Sequence, residues 1–175
     1  IRCELVIPNR EVQDVYRFEI LDKMRGRFSV SRLETMFDDL LSGNGKAFSE
    51  LLGGYLRDLV SVYDTANKES FYHGFVLGMT ALFVSDYIIE SNRESGYGRF
   101  DLAIIPKDVS KAGVIMEFKV ASREADMAAK AKEALQQIEE REYVTEFRQR
   151  GIQRVWKYGI AFCGKKILAF QGPMC

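Results

Sequence analysis

"GRFDLAIIPKDVSKAGVIMEFKVAS", Gly98 to Ser122, decides the fold. It reads as two apolar strands joined by a polar turn, and each strand carries charge where a buried strand has none. Asp101 interrupts Phe100, Leu102, Ala103, Ile104 and Ile105. Glu117 and Lys119 interrupt Val114-Ile115-Met116, Phe118 and Val120-Ala121. Side chains alternate along a strand, so Glu117 and Lys119 share one face and Phe118 takes the other. If Asp101 lies on the neighbouring strand, its carboxylate converges with that of Glu117. Two such acids in an apolar sheet repel and are costly to desolvate. A hard divalent cation, magnesium or manganese, would remove that cost, with Asp101, Glu117 and the Phe118 carbonyl as oxygen ligands. Lys119 would then orient a water or neutralise a phosphate oxygen. The plain alternative is an acid and a lysine sharing an exposed strand face. The apolar flanks count against it, because they imply a strand covered on both sides.

The chain around this segment has 175 residues, 47% hydrophobic and 29% charged, which is enough for one domain with a real core. Lys plus Arg equals Asp plus Glu, 25 of each, so bulk charge does not mark a nucleic-acid binder. Positive charge is local: Arg148, Arg150, Arg154 and Lys157 fall in ten residues without an acid, read as solvated helix-end charge before a phosphate patch. The longest apolar stretch, Phe71 to Ile89, is broken by His73, Gly74, Gly78, Ser85 and Asp86. It reads as a buried helix leading into a strand rather than a membrane span. Cys3, Cys163 and Cys175 lack metal-ligand spacing and suit a reducing, intracellular, cytoplasmic setting. No signal peptide is visible. The chain opens on Ile1 rather than Met, compatible with a longer protein.

Residues 1–66 read as a helical N-terminal segment and 67–175 as the domain that carries the charged strands. Asn9 caps an expected helix from Arg10 to Met24. Ser31 opens another, with Glu34 as its capping-box partner and a stripe of Leu33, Met36, Phe37, Leu40 and Leu41. Lys46 to Tyr63 continues helically. A helix from Lys68 to Phe83 is apolar on most sides and is expected to be buried on most sides. Then come a strand at Tyr87–Ile89, a polar turn from Ser91 to Tyr97, strands over Arg99–Ile105 and Val114–Val120, and a long helix from Arg123 to Arg148. Strands at Trp156–Cys163 and Lys166–Phe170 flank a tight Gly164-Lys165 turn. This order predicts an α/β fold, a mixed sheet flanked by helices.

Longer stretches carry a family resemblance. Ser91 to Asp101, "SNRESGYGRFD", precedes the acid-x-Lys element Glu117-Phe118-Lys119; "YHGFVLGM" spans Tyr72 to Met79 and "EALQQIEEREY" spans Glu133 to Tyr143. Together they resemble the PD-(D/E)xK nuclease superfamily over about residues 66 to 171. More specifically, they resemble a branch usually found behind an AAA-ATPase-like domain. "VIPNREV", Val6 to Val12, resembles the helical stretch that precedes the nuclease there. The superfamily's Pro before the first acid is Phe100 here.

The resemblance implies a restriction-endonuclease-like core of helix, three strands, helix, strand. It implies metal-dependent hydrolysis of phosphodiesters in DNA, in preference to RNA, with Mg2+ or Mn2+ on Asp101 and Glu117, Lys119 on the attacking water, and an AAA-ATPase-like domain in the full-length chain. It also implies metal-shell roles for Glu69 and His73 on the first helix, and an active-site role for Gln137. From the residues alone, His73 reads equally as a core histidine and Glu69 as a first-turn carboxylate favoured by the helix dipole. Gln136 adjoins Gln137, and one of the two must face solvent. Arg93 and Arg99 are candidates for phosphate contact. Tyr143 stacks on a base or packs, with packing the stronger reading. Gly96-Tyr97-Gly98-Arg99 lacks a following Gly-Lys-Ser/Thr and is not a nucleotide loop. The competing function is a non-cleaving module of the same fold that binds nucleic acid or docks a partner ATPase.

Overall fold

The computed structural model describes residues 30–61, 69–92, 94–95 and 98–175. The chain forms two compact units, Ile1–Thr35 and Met36–Cys175. The expected helix from Arg10 to Met24, the segment Val6–Val12, Cys3 and Arg93 lie outside the described residues. Among the described residues, no helix is long and apolar enough to cross a membrane.

Helix α1 spans Val30–Leu41. Ser31 therefore lies inside its first turn, not at its cap as expected. Asn44 caps α2 (Gly45–Leu59), its side chain accepting from the Ala47 amide at 3.3 Å. Helix α3 covers Glu69–Thr80. Strand β1 (Tyr87–Ser91) is followed by a two-residue hairpin, β2 (Glu94–Ser95) paired with β3 (Gly98–Arg99). Then come β4 (Leu102–Pro106), β5 (Gly113–Val120), α4 (Met127–Glu140), α5 (Val144–Gln149), β6 (Val155–Cys163) and β7 (Lys166–Gln171).

Five strands form one mixed sheet in the order β1-β4-β5-β6-β7. β5 and β6 are parallel across eight pairs, Gly113↔Val155 to Val120↔Phe162; the other neighbours are antiparallel. A parallel pair cannot close with a hairpin, and α4 and α5 supply the crossover. β4 is buried throughout and β5 over its first six residues, which is why β4 reads as an unbroken apolar run and β5 as one that Glu117 interrupts.

On one face, α4 and α5 cover Ile115, Ala103 and Val155 with Ile138, Tyr143 and Phe147. On the other, the Tyr72 ring of α3 stacks on Phe162 at 4.3 Å and Phe48 of α2 meets Tyr158 at 6.3 Å. The α1–β6 contact is fixed by hydrogen bonds from the Tyr158 hydroxyl to the Leu40 carbonyl and from the Trp156 indole to Leu41.

Three expected elements differ. Helix α3 buries one face only, through Tyr72, Val76, Met79 and Thr80. Its far side exposes Gly74 and Gly78, and Phe71 and Phe75 stack on each other there at 6.2 Å. The expected strand from Arg99 to Ile105 is split: the chain leaves the ladder at Phe100 and Asp101, and Gly98–Arg99 pairs back on β2 instead. The expected helix from Arg123 to Arg148 stops at Glu140 and restarts at Val144, with Glu142 at φ +53°. In a continuous helix five residues turn about 140° past a whole revolution, so Ile138 and Tyr143 could not both face the core. The break returns Tyr143 to the core, followed by Phe147 four residues on.

Candidate active site

The site lies where β5 outruns β4. The last ladder pair is Leu102↔Met116. Beyond it Asp101 turns its carboxylate onto β5, and Oδ2 accepts from the Phe118 amide at 2.7 Å. A strand residue offers its N–H and C=O to the same neighbour. The Phe118 carbonyl thus opens on the side where Asp101 sits.

Glu117 projects to the α4 face and is 2% exposed. Its Oε1 takes the Lys119 ammonium at 3.4 Å and the Gln137 amide at 2.5 Å. Its Oε2 is buried and, among the described residues, has no hydrogen-bond partner. Burial, then the neighbouring Asp101 charge, pushes the Glu117 carboxyl up to about 7, against a smaller opposing pull from Lys119. A buried carboxylate oxygen without a donor is costly, and a bound cation is one of the few partners that relieves it.

Gln137 reaches this point because α4 presses closely on the sheet. A Cβ at Gly159 would lie 2.2 Å from the Ala131 carbonyl oxygen and 2.4 Å from the Leu135 nitrogen. The glycine, paired with Glu117 across the parallel ladder, lets the helix backbone sit against β6. Gln136 faces solvent and bonds Glu140 at 2.6 Å, so the two adjacent amides divide between water and site.

Glu69, the first residue of α3, has its carboxyl raised by burial and then by the Asp101 charge, while Lys119 and His73 pull the other way. It belongs to the same electrostatic cluster. His73, one turn on, lies over the Phe118 ring at 5.9 Å. Its Nε2 meets Ser91 Oγ at 2.9 Å and its Nδ1 meets Asn92 Nδ2 at 3.2 Å. Both ring nitrogens are engaged by neutral side chains, an arrangement that favours the structural reading of this imidazole over the ligand reading. Among the described residues, no group of three or more His, Cys, Asp and Glu is gathered closely enough to hold an ion. The donor set is two carboxylates and a backbone carbonyl, all hard oxygen. That suits magnesium or manganese, which keep several waters, and the partnerless Glu117 oxygen fits such an ion.

Tyr143 is 1% exposed, its hydroxyl donates to the Arg99 carbonyl at 2.8 Å, and its ring meets Phe100 edge-on at 5.9 Å. It cannot stack on a base, and the expectation that it contacts nucleic acid is corrected to packing. The Arg99 side chain is exposed on β3. Within the basic run near residue 150, Arg150 pairs with Glu90 at 2.8 Å and Glu146 at 2.5 Å and Lys157 is buried against Glu139, while Arg148 and Arg154 are exposed.

Ser91, Asn92 and Gly159 are supporting residues that pattern reading did not single out. Gly159 did carry a signal, a glycine within an apolar strand. Asn92, at φ +52°, had none beyond its residue type.

A family model described as the PD-(D/E)XK nuclease superfamily matches residues 67–171. No curated protein matches the chain.

Proposed function

Because the chain belongs to the PD-(D/E)XK nuclease superfamily, we propose that its nuclease-type function is metal-dependent hydrolysis of phosphodiester bonds in DNA, with Asp101, Glu117 and Lys119 as the catalytic set. One observation carries the reading. The buried Glu117 carboxylate, with one oxygen lacking a hydrogen-bond donor among the described residues, sits beside the Asp101 carboxylate and the Lys119 ammonium where the central strand outruns its neighbour.

Asp101, Glu117 and the Phe118 carbonyl would hold magnesium or manganese, with Glu69 nearby as an outer partner. When bound, the ion supplies positive charge to the phosphoryl oxygens and acidifies a water. The residues do the rest. Lys119, 19% exposed in its side chain, reaches from the buried strand towards solvent. It orients the attacking water and offsets the charge that builds on phosphorus-bound oxygens as the new P–O bond forms and the ester P–O bond breaks. Gln137 donates to Glu117 Oε1 and keeps its carboxylate in one rotamer. Arg99, and Arg93 in the same reading, would meet the phosphate backbone.

In this reading residues 67–175 form the nuclease domain and 1–66 a helical segment ahead of it. An AAA-ATPase-like domain in the full-length protein rests on the branch resemblance alone. The test is plasmid cleavage with magnesium or manganese, with and without EDTA. Wild type should cut only with the metal, and Lys119→Ala should retain the fold and lose cleavage. Cleavage by Lys119→Ala at the wild-type rate would overturn the assignment.

A further inference from the structure

Lys157 is the one lysine among the described residues with less than a tenth of its surface exposed, at 1%. It is the third residue of β6, on the α4 side, far from what a solvated cation normally accepts. Two groups meet its ammonium. Glu139 of α4 contacts it through Oε1, and Cys175 Sγ lies 2.8 Å from Nζ. That is an ordinary N–H···O length, whereas a sulfur acceptor, being larger, normally stands farther off.

The backbone holds the pair in register. Gly172 donates to the Lys157 carbonyl at 2.9 Å, Val155 donates to the Cys175 carbonyl at 2.9 Å, and Cys175 donates back to Val155 at 3.2 Å. The segment after β7 is thus laced onto β6, and neither partner can drift away without breaking that lacing. Cys175 itself is only partly buried, so a small oxidant can reach the sulfur. None of these residues takes part in the proposed cleavage.

We propose that Lys157 and Cys175 form a covalent, reducible cross-link under peroxide. In the first step the Cys175 sulfur attacks hydrogen peroxide. An S–O bond forms, the O–O bond breaks, and water leaves, giving the sulfenic acid. In the second, Glu139 takes a proton from the Lys157 ammonium. The freed amine attacks the sulfur, the N–S bond forms and the S–O bond breaks, and a second water leaves with the remaining proton. The sulfur is oxidised by two electrons and the peroxide is reduced by two. Sulfenic acids condense in this way with a backbone nitrogen, giving a sulfenamide. Here the nitrogen is a buried amine with a base already in contact.

The test is intact-mass and peptide mapping of the 175-residue chain after hydrogen peroxide, with and without dithiothreitol. The expected product has lost two hydrogens, and its peptide map joins the peptides that contain residues 157 and 175. The same joined pair carrying one added oxygen, an N–O–S bridge, also supports the proposal. Dithiothreitol should reverse either, Cys175→Ser should abolish it, and Cys163→Ser should leave it intact. Mapping needs only the wild-type protein, so a variant that fails to fold does not cloud the result. Oxygen additions on Cys175 without a joined peptide, or a disulfide from Cys175 to another cysteine, would overturn it.

Discussion

The side-chain amide of Gln137 lies 2.5 Å from Glu117 Oε1, linking the crossover helix to the central strand at the point where the acids converge. The bond helps set the rotamer of a buried carboxylate that also meets the Lys119 ammonium at 3.4 Å. Gln137→Ala should leave the helix intact and slow cleavage by about tenfold, the scale expected for one hydrogen bond to a charged group. Metal-activated plasmid cleavage measures it, and an unchanged rate would remove Gln137 from the positioning role.

The raised Glu117 carboxyl makes a pH prediction. Its ordinary value is 4.5 and the fold holds it near 7. Because the folded state keeps this proton to a higher pH than the unfolded chain does, the contribution is fully present below about 4.5 and is lost as pH rises through 7. Metal-free protein should therefore lose roughly 3 kcal/mol across that window from this group, with Glu69 acting in the same direction. Glu117→Gln should flatten the trend, and added manganese should restore stability at pH 8 in wild type only. Denaturant melts at several pH values read all three.

Gly159 leaves no room for a side chain against the backbone of α4. Gly159→Ala would drive a methyl group into the Ala131 carbonyl and the Leu135 amide, which are helix backbone and cannot swing aside. The variant should be destabilised by more than about 3 kcal/mol, and its residual folded fraction should cleave poorly because α4 carries Gln137. A melting temperature within a few degrees of wild type would mean that the helix stands farther from β6.

Tyr143 separates packing from contact with substrate. Tyr143→Phe removes the hydroxyl's hydrogen bond to the Arg99 carbonyl and its interaction with the Gln137 side chain, and should cost about 1 kcal/mol, while Tyr143→Ala opens a core cavity and should cost about 3–5 kcal/mol. Substrate affinity of the Phe variant should match wild type. A large loss of DNA affinity in Tyr143→Phe, with stability unchanged, would restore a direct role.

How much of this was legible in the sequence depended on what set each feature. The strands β4 and β5 were visible as apolar runs, and Asp101, Glu117 and Lys119 stood out because charge inside such runs has no cheap explanation. The sharing of one face by Glu117 and Lys119 follows from strand alternation alone. The residue pattern alone did not choose between Gln136 and Gln137, since that depends on the rotation of α4 against Gly159; the resemblance named Gln137. The break at Glu142 was hidden because Glu-Glu-Arg-Glu is a good helix-forming run. Burial of Tyr143 against Phe100 overrides that propensity. His73 was ambiguous for a similar reason. Its partners Ser91 and Asn92 sit 18 and 19 residues away, across a turn whose left-handed backbone no periodicity reveals.

The central claim is that Asp101 and Glu117 share one cation, and manganese titration by calorimetry tests it most directly. Wild type should bind one ion per chain at this site, and Asp101→Asn and Glu117→Gln should each abolish that binding while remaining folded. Unchanged manganese binding in both variants would contradict the account.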